Sequence, residues 1–380
     1  MNISKQTEKA FQILRDWDSK KYEYDQRSLP RSLTFVIASL LLMLPLSATE
    51  SLYFQSHDWL TVCDNTRTCR ISGYSSFDAN LGSISVLFTQ KSVPDVALKA
   101  KVRISFLEDE EYPDDKLTHF PLEMLINNKS HGYVSIKKET MIASLSTMQT
   151  QALLTSLKKN VTILWKTKKN HWQLSDRGAA AVLLKVDEYQ QRIGTRGALI
   201  AKGLNSERTV LKPKLIPTIY AAKISDYKGE VVDTEDKKQL EKVLTLELLL
   251  DKEACFEPKE EIRKFSFQPL SAHKLLVSKL CWMGAYNESS YFWVIDNKPP
   301  YNPKLITTNG KDFYINEKQV GIISSDHKGR GRGDCWSYEN FVWTGERFTL
   351  SSKGTTGLCR DVAAGGAWDL PVFTSKIRIK

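Results

Sequence analysis

The residues best placed to do chemistry lie in one stretch, Lys328-Gly329-Arg330-Gly331-Arg332-Gly333-Asp334-Cys335-Trp336, with a downstream counterpart in Gly357-Leu358-Cys359-Arg360. Alternating glycines let backbone N–H groups turn toward an anion and two arginines supply charge, so phosphate or uronate binding is one reading of the loop. Arg332-Gly333-Asp334 is also the tripeptide that integrins read. The plainer reading is a loop leading into the Cys335 strand. The surrounding third of the chain is rich in aromatics, whose exposed faces stack on sugar rings while neighbouring Asn or Asp bonds the hydroxyls. The candidate binding residues are therefore Trp282, Tyr286, Asn287, Trp293, Arg330, Arg332, Asp334, Trp336 and Trp368. The competing expectation is structural, because aromatics in strands usually serve the core.

Signatures of catalysis are missing. The chain contains no G-x-S-x-G elbow, no H-E-x-x-H and no Walker loop. Ser135 with Lys138 and Ser156 with Lys159 fit S-x-x-K, but the companion K-T-G is absent. The six histidines (57, 119, 131, 171, 273 and 327) are dispersed, and the Cys63 to Cys69 spacing is wider than a zinc knuckle or a redox C-x-x-C. Six carboxylates fall within residues 108–115, yet without the alternation and glycine of a calcium loop, so a solvated loop is expected. No catalytic residue, metal or cofactor is assigned. The enzymatic alternative is a hydrolase of envelope glycan that pairs Asp334 with Glu339 or Asp369 in the fold.

Six cysteines, Cys63, Cys69, Cys255, Cys281, Cys335 and Cys359, permit fifteen pairings. Short loops lose least entropy on closure, which favours sequence neighbours: 63 with 69, 255 with 281, and 335 with 359. Structural disulfides persist where the cell does not reduce them. In front of them stands Arg31, then an uncharged run over 32–49 with Ser47-Ala48 near its end. These are the parts of a secretory signal at 31–48. Left uncleaved, the same run is near the lower length limit for a membrane anchor. The expected location is the periplasm, or the inner membrane if residues 32–49 stay attached. A polar tail, 1–30, precedes this segment. Net charge is +10, and beyond residue 48 it is still +8, with 47 basic and 39 acidic residues. A basic surface favours anionic partners, and export argues against nucleic acid.

A content of 41% hydrophobic and 26% charged residues excludes wholesale disorder, and 380 residues predict two domains. The fold class expected is α+β: an α+β domain over 57–205, a basic linker over 206–230 around Lys212-Pro213-Lys214, and a β-rich antiparallel meander over 231–380, stapled by disulfides. Residues 50–56 read as a first strand, followed by 59–63, 83–89 and 101–106. Hairpins are predicted over 121–137 and 161–174. Ser146 or Thr147 caps a helix running to about 159. Ser175 caps a second helix to 193, with Gly194 as its stop, a buried stripe of Ala180, Leu183, Leu184 and Ile193, and Asp187, Glu188 and Arg192 toward solvent. Thr234 caps a third, over 239–250. Further strands are read at 274–282, 290–296, 304–308, 319–324, 338–343 and 347–351.

Several motifs carry a resemblance. They are Asp58-Trp59 before Cys63-Asp64-Asn65-Thr66-Arg67-Thr68-Cys69, Ser175-Asp176 leading into Gly178-Ala179-Ala180-Ala181-Val182-Leu183-Leu184-Lys185, and Gly197-Ala198-Leu199. The others are Cys281-Trp282-Met283-Gly284-Ala285-Tyr286-Asn287, Trp293-Val294-Ile295-Asp296, Gly333-Asp334-Cys335-Trp336, Cys359-Arg360 and Gly366-Ala367-Trp368-Asp369-Leu370-Pro371. On these the chain resembles the bacterial family of domain of unknown function 1176, exported six-cysteine proteins with no assigned activity. Asp58-Trp59 and Cys63 look more faintly like the invasion-associated locus B proteins. The expectation is an exported, non-enzymatic protein of a Gram-negative envelope that binds an envelope component: an anionic glycan, a peptide or a protein.

Overall fold

The computed structural model describes residues 51–76, 82–106, 114, 116–224, 238–242, 244 and 265–380. The tail 1–30, the segment 31–48, the acidic run other than Asp114, most of the predicted 239–250 helix and Cys255 lie outside the described residues. Residues 49–380 form one compact unit. Among the described residues no helix is long and apolar enough to cross a membrane.

Ten strands form a single antiparallel sheet: β1 (Leu52–Ser56), β2 (Trp59–Cys63), β3 (Cys69–Tyr74), β4 (Ile84–Gln90), β5 (Lys99–Ile104), β6 (His119–Ile126), β7 (Lys129–Lys137), β8 (Ile142–Ser144), β9 (Ile163–Lys166) and β10 (His171–Leu174). Their order is β1-β2-β3-β4-β5-β8-β7-β6-β9-β10. The β6–β7 hairpin turns on Asn127 (φ 48°) and Asn128 (φ 63°), a residue type that tolerates the left-handed region a tight hairpin turn demands. Inward residues of the sheet, among them Trp59, Phe88, Trp165 and Trp172, share one core. The last strand folds back toward the first ones. The Ser175 N–H donates to the Tyr74 carbonyl (3.0 Å) and the Trp172 indole N–H to Ser105 (2.7 Å).

Strand β2 shows where periodicity misleads. Alternation predicts one wet face, yet all five of its residues are buried. Trp59 and Cys63 face the sheet's own core, while Leu60 and Val62 pack with Tyr74 against Val362, Ala367, Trp368 and Leu370. The C-terminal segment thus covers the back of the N-terminal strands. Polar links follow the same seam. Arg360 bridges to Asp58 (2.9 Å), Ser175 donates to Asp58 (2.7 Å), Trp368 donates to Ser85 (2.7 Å), and Asn65 exchanges two hydrogen bonds with Thr374.

Two helices pack on this sheet. Helix α1 (Thr147–Ser156) starts on Ser146 with a reciprocal Gln149 capping box and stops three residues short of the expected end. Helix α2 (Ala179–Tyr189) corrects several expectations. Ser175 does not cap it: its hydroxyl donates to Asp58 and accepts the Arg177 N–H, one turn ahead of the first helical residue. The helix starts instead on Gly178, whose φ of 92° suits glycine, and it ends at Gln190 rather than Gly194. The buried stripe is Ala179, Val182, Leu183 and Val186, whereas Ala180 is exposed and Leu184 and Ile193 are 42% and 54% exposed. An alanine run gives no contrast from which to read the phase. Asp187 and Arg192, expected in solvent, are fully buried. Asp187 accepts from the N–H groups of Leu199, Ile200 and Ala201, so its charge is met by backbone that only the fold brings there.

The remaining strands are β11 (Thr218–Ala221), β12 (Ser266–Pro269), β13 (Lys274–Met283), β14 (Glu288–Asp296), β15 (Lys304–Gly310), β16 (Asp312–Ile315), β17 (Gly321–Lys328), β18 (Trp336–Trp343), β19 (Phe348–Thr355), β20 (Leu370–Thr374) and β21 (Lys376–Ile379). β12–β15 and β16–β20 make sequential antiparallel sheets, as the meander spacing predicts. β11 lies within the expected linker and pairs in parallel with β21. With 47% strand and 11% helix the protein is mostly β, which corrects the α+β class. The helices are shorter than their sequence patterns, and the N-terminal region contains ten strands.

Candidate functional site

Strands β13 and β14 are joined by a tight turn in which the Gly284 N–H donates to the Asn287 carbonyl (2.7 Å). Their register slips between Leu280 and Trp282. Such a bulge adds one residue to a strand and re-aims its neighbours. Here Cys281 turns inward and is disulfide-bonded, its expected partner Cys255 lying outside the described residues. Beyond it, residues 282–286 (Trp-Met-Gly-Ala-Tyr) are all exposed, with Trp282 at 41%, Met283 at 51% and Tyr286 at 47%. Consecutive exposed apolar side chains at a hairpin tip are what folding alone selects against.

The tip is tied to the chain around it. A Cβ on Gly284 would fall 2.9 Å from two atoms of the Trp282 ring, so the indole packs against the turn while 41% of the residue stays exposed. Asn287 clasps Lys328 at both main-chain groups, accepting from its N–H (2.8 Å) and donating to its carbonyl (2.9 Å). One residue earlier in the chain, Tyr286 rests 3.7 Å from where a Cβ of Gly331 would stand.

Lys328 ends β17 and Trp336 begins β18, and the loop between them is closed on itself. Arg330 grips Asp334 with two bonds (2.8 and 2.7 Å) and also pairs with Asp361 (2.8 Å), which pairs with Arg332 (3.1 Å). Asp334 is buried and accepts the Asp361 N–H (2.7 Å). The anion this loop cradles is therefore its own Asp334. The same burial removes Arg332-Gly333-Asp334 as an exposed tripeptide. Beneath the loop runs the Cys335–Cys359 disulfide, so close that a Cβ on Gly329 would meet both sulfurs at 2.6 and 2.9 Å. The Cys63–Cys69 bridge is also formed, between residues directly opposite in the β2–β3 ladder.

Seven of the nine sequence-predicted binding residues meet in this region: Trp282, Tyr286, Asn287, Arg330, Arg332, Asp334 and Trp336. Their parts differ. Trp282, Tyr286 and the 73%-exposed Arg332 side chain face solvent, while Asn287, Arg330 and Asp334 hold the frame. Trp336 is half-buried, its N–H bonded to the Gly333 carbonyl (2.7 Å). The other two lie elsewhere. Trp293 packs in the core with Phe265 and Tyr291, and Trp368 is buried in the seam described above. Lys328 was missed, since nothing in its local sequence says that its ammonium would stand 5.3 Å over the Trp336 ring.

The carboxylates offered for hydrolysis are each engaged. Asp334 is bound as above, Glu339 pairs with Lys353, and Asp369 accepts from Tyr338 (2.6 Å). Burial pushes the Asp334 carboxyl up, but the hydrogen bonds from Arg330 and from the Asp361 N–H outweigh it and hold it below the usual carboxylate range. A general acid needs the reverse. Ligand atoms of Asp334, Cys335 and Cys359 lie within 4.8 Å of one another, but the two sulfurs are bonded together and offer no thiolate to a metal. A separate cleft of about 360 Å³ is lined by His57, Lys158, Lys159, Arg177 and the start of α2, and contains none of the predicted residues.

A pH dependence follows for the loop. A folded value below the unfolded one, near 3.9, means that ionised Asp334 stabilises the loop fully above about pH 4. That contribution is lost as pH falls through the folded value. The Trp336 indole N–H resonance reports the loop locally, and in the wild type it is expected to shift and broaden only at pH values below the ordinary carboxylate range. In Asp334→Asn the perturbed resonance should already be present at neutral pH. A wild-type resonance that stays unchanged on acidification until the whole protein unfolds would contradict this.

A family model described as a protein of unknown function (DUF1176) matches residues 53–375. No curated protein and no solved structure matches, so the fainter likeness to the invasion-associated locus B proteins has no support. The motif residues now have places: Asp58, Ser175, Arg360 and Trp368 join the C-terminal segment to the N-terminal sheet, and 281–287 with 333–336 form the hairpin tip and its support. Since the match spans most of the folded chain, the protein belongs to the DUF1176 family, whose function is unknown.

Proposed function

We propose that this is an exported binding protein of the cell envelope, and that residues 282–286 present Trp282 and Tyr286 as a stacking platform for a glycan strand. The observation that carries the reading is an apolar tip left in water yet braced from below by a bulge, a glycine contact and the Asn287 clasp. An aromatic ring packed against its own turn yet partly in water suits a sugar that stacks on it; a wedge for a bilayer or a protein core would project its rings. The disulfides support export, because a reducing cytosol would not preserve them.

The test is retention of the protein on purified sacculi and on insoluble envelope polysaccharide. Stacking is worth about 0.5–1.5 kcal/mol per ring, so Trp282→Ala is expected to weaken retention up to about tenfold. Its thermal midpoint should stay put, because the ring is half in solvent. Wild-type protein that is not retained, or Trp282→Ala retained equally well, would overturn the reading.

A further inference from the structure

We infer that the bound glycan is acidic, a pyranose carrying a carboxylate, and that Lys328 is the residue that reads its charge. This rests on the stacking reading above and adds the class of ligand. The loop looks strongly basic in sequence, but its charge is largely cancelled in the fold: Arg330 and Arg332 face Asp334 and Asp361, two against two. Lys328 is different. Among the described residues its ammonium has no carboxylate partner, and its neighbour is the Trp336 ring at 5.3 Å. A cation over an aromatic face keeps its charge available for an anion on its other side.

Its position is also determined. The two Asn287 bonds tie the Lys328 main chain to the residue after Tyr286. The lysine stem lies along the glycine turn that holds Trp336, its Cε 3.8 Å from where a Gly333 Cβ would stand. The strand end that carries the ammonium is therefore tied directly to the turn that carries Trp282 and Tyr286. A lone ammonium is a compact point charge without the fork that favours phosphate, so it matches a single carboxylate better than a dianion.

Calorimetry of the oxidised full chain with polygalacturonate and with the same polymer fully methyl-esterified separates the contributions. Wild type is expected to prefer the acid form by about two- to fivefold, the range of one exposed ion pair, with the preference fading as salt is raised. Lys328→Gln should bind both forms alike at the ester's affinity, and Lys328→Arg should keep the preference. Trp282→Ala should weaken both forms together. Equal binding of acid and ester by wild type, with Trp282→Ala still weakened, sinks the charge reading and leaves the platform. A preference that survives in Lys328→Gln also sinks it. Binding to vesicles containing anionic lipid, with neither polymer bound, overturns both readings at once.

Discussion

Replacing Arg192 by leucine is expected to destabilise the protein by about 3–5 kcal/mol, the cost of breaking a buried ion pair from one side. The guanidinium is completely buried and makes four hydrogen bonds: to Gln190 (2.8 Å), Glu207 (2.7 Å) and the carbonyls of Lys91 and Val93 (2.9 Å each). Its side-chain bonds vanish in the variant. Glu207, with a side chain 3% exposed, is then left charged in a place without water, supported by Thr195 and the Asp95 N–H. Its carboxylate packs directly on Gly197, where a Cβ would stand 1.8 Å from it. Urea unfolding measures the loss through the midpoint at constant slope. The double variant Arg192→Leu with Glu207→Leu should recover much of it, because the orphaned charge is gone. A single variant within about 1 kcal/mol of wild type would show that the pair is not closed in solution.

The second large effect concerns the disulfide under the candidate site. Cys335 and Cys359 are separated by 24 positions, and cross-linking a loop of that size restricts the unfolded chain by about 3.5 kcal/mol on the chain-entropy model. Cys63–Cys69, with a separation of 6, closes a loop whose model value is about 2.4 kcal/mol. Its cysteines already face each other across β2 and β3, so the ladder does part of its work. The Cys335→Ser, Cys359→Ser variant should therefore lose more stability than the Cys63→Ser, Cys69→Ser variant. It should also lose glycan retention before it unfolds globally, because Gly329 and the Arg330–Asp334 loop rest on the bridge. Unfolding midpoints of the two variants side by side decide the order. Equal midpoints, or retention unchanged on loss of the 335–359 bridge, would contradict it.

Much of the β architecture was legible. Strands β13, β14, β15, β17, β18 and β19 announce themselves through aromatic and β-branched runs broken by Gly, Asn and Pro, as does the hairpin between Cys335 and Cys359, whereas the short β16 does not. The capping box of α1 is equally local. Errors began where the answer depended on something distant. The phase of α2 was misread because Ala179-Ala180-Ala181 looks alike on every side, and the partners that bury Asp187 and Arg192 are loop amides and Glu207 further along the chain.

The candidate site divides the same way. Trp282, Trp293 and Trp368 are one residue type in similar strand-rich contexts, yet one is exposed at a hairpin tip, one is core and one lies in a seam. A bulge at Cys281 and the covering of β2 by the C-terminal segment decided that. Likewise Arg330 and Arg332 read as an anion site until Asp361 was seen beside them.

By itself, then, the sequence determined the short-range pieces: strand positions, hairpin turns, the α1 cap, and the two bridges between cysteine neighbours. Each is set by residues close along the chain, where propensity and loop closure dominate. Tertiary structure alone decided which aromatic faces meet water, which charges are cancelled, and that residues 218–221 pair with 376–379. A period-two pattern says which side chains share a face; only the packing of distant segments says whether that face is covered.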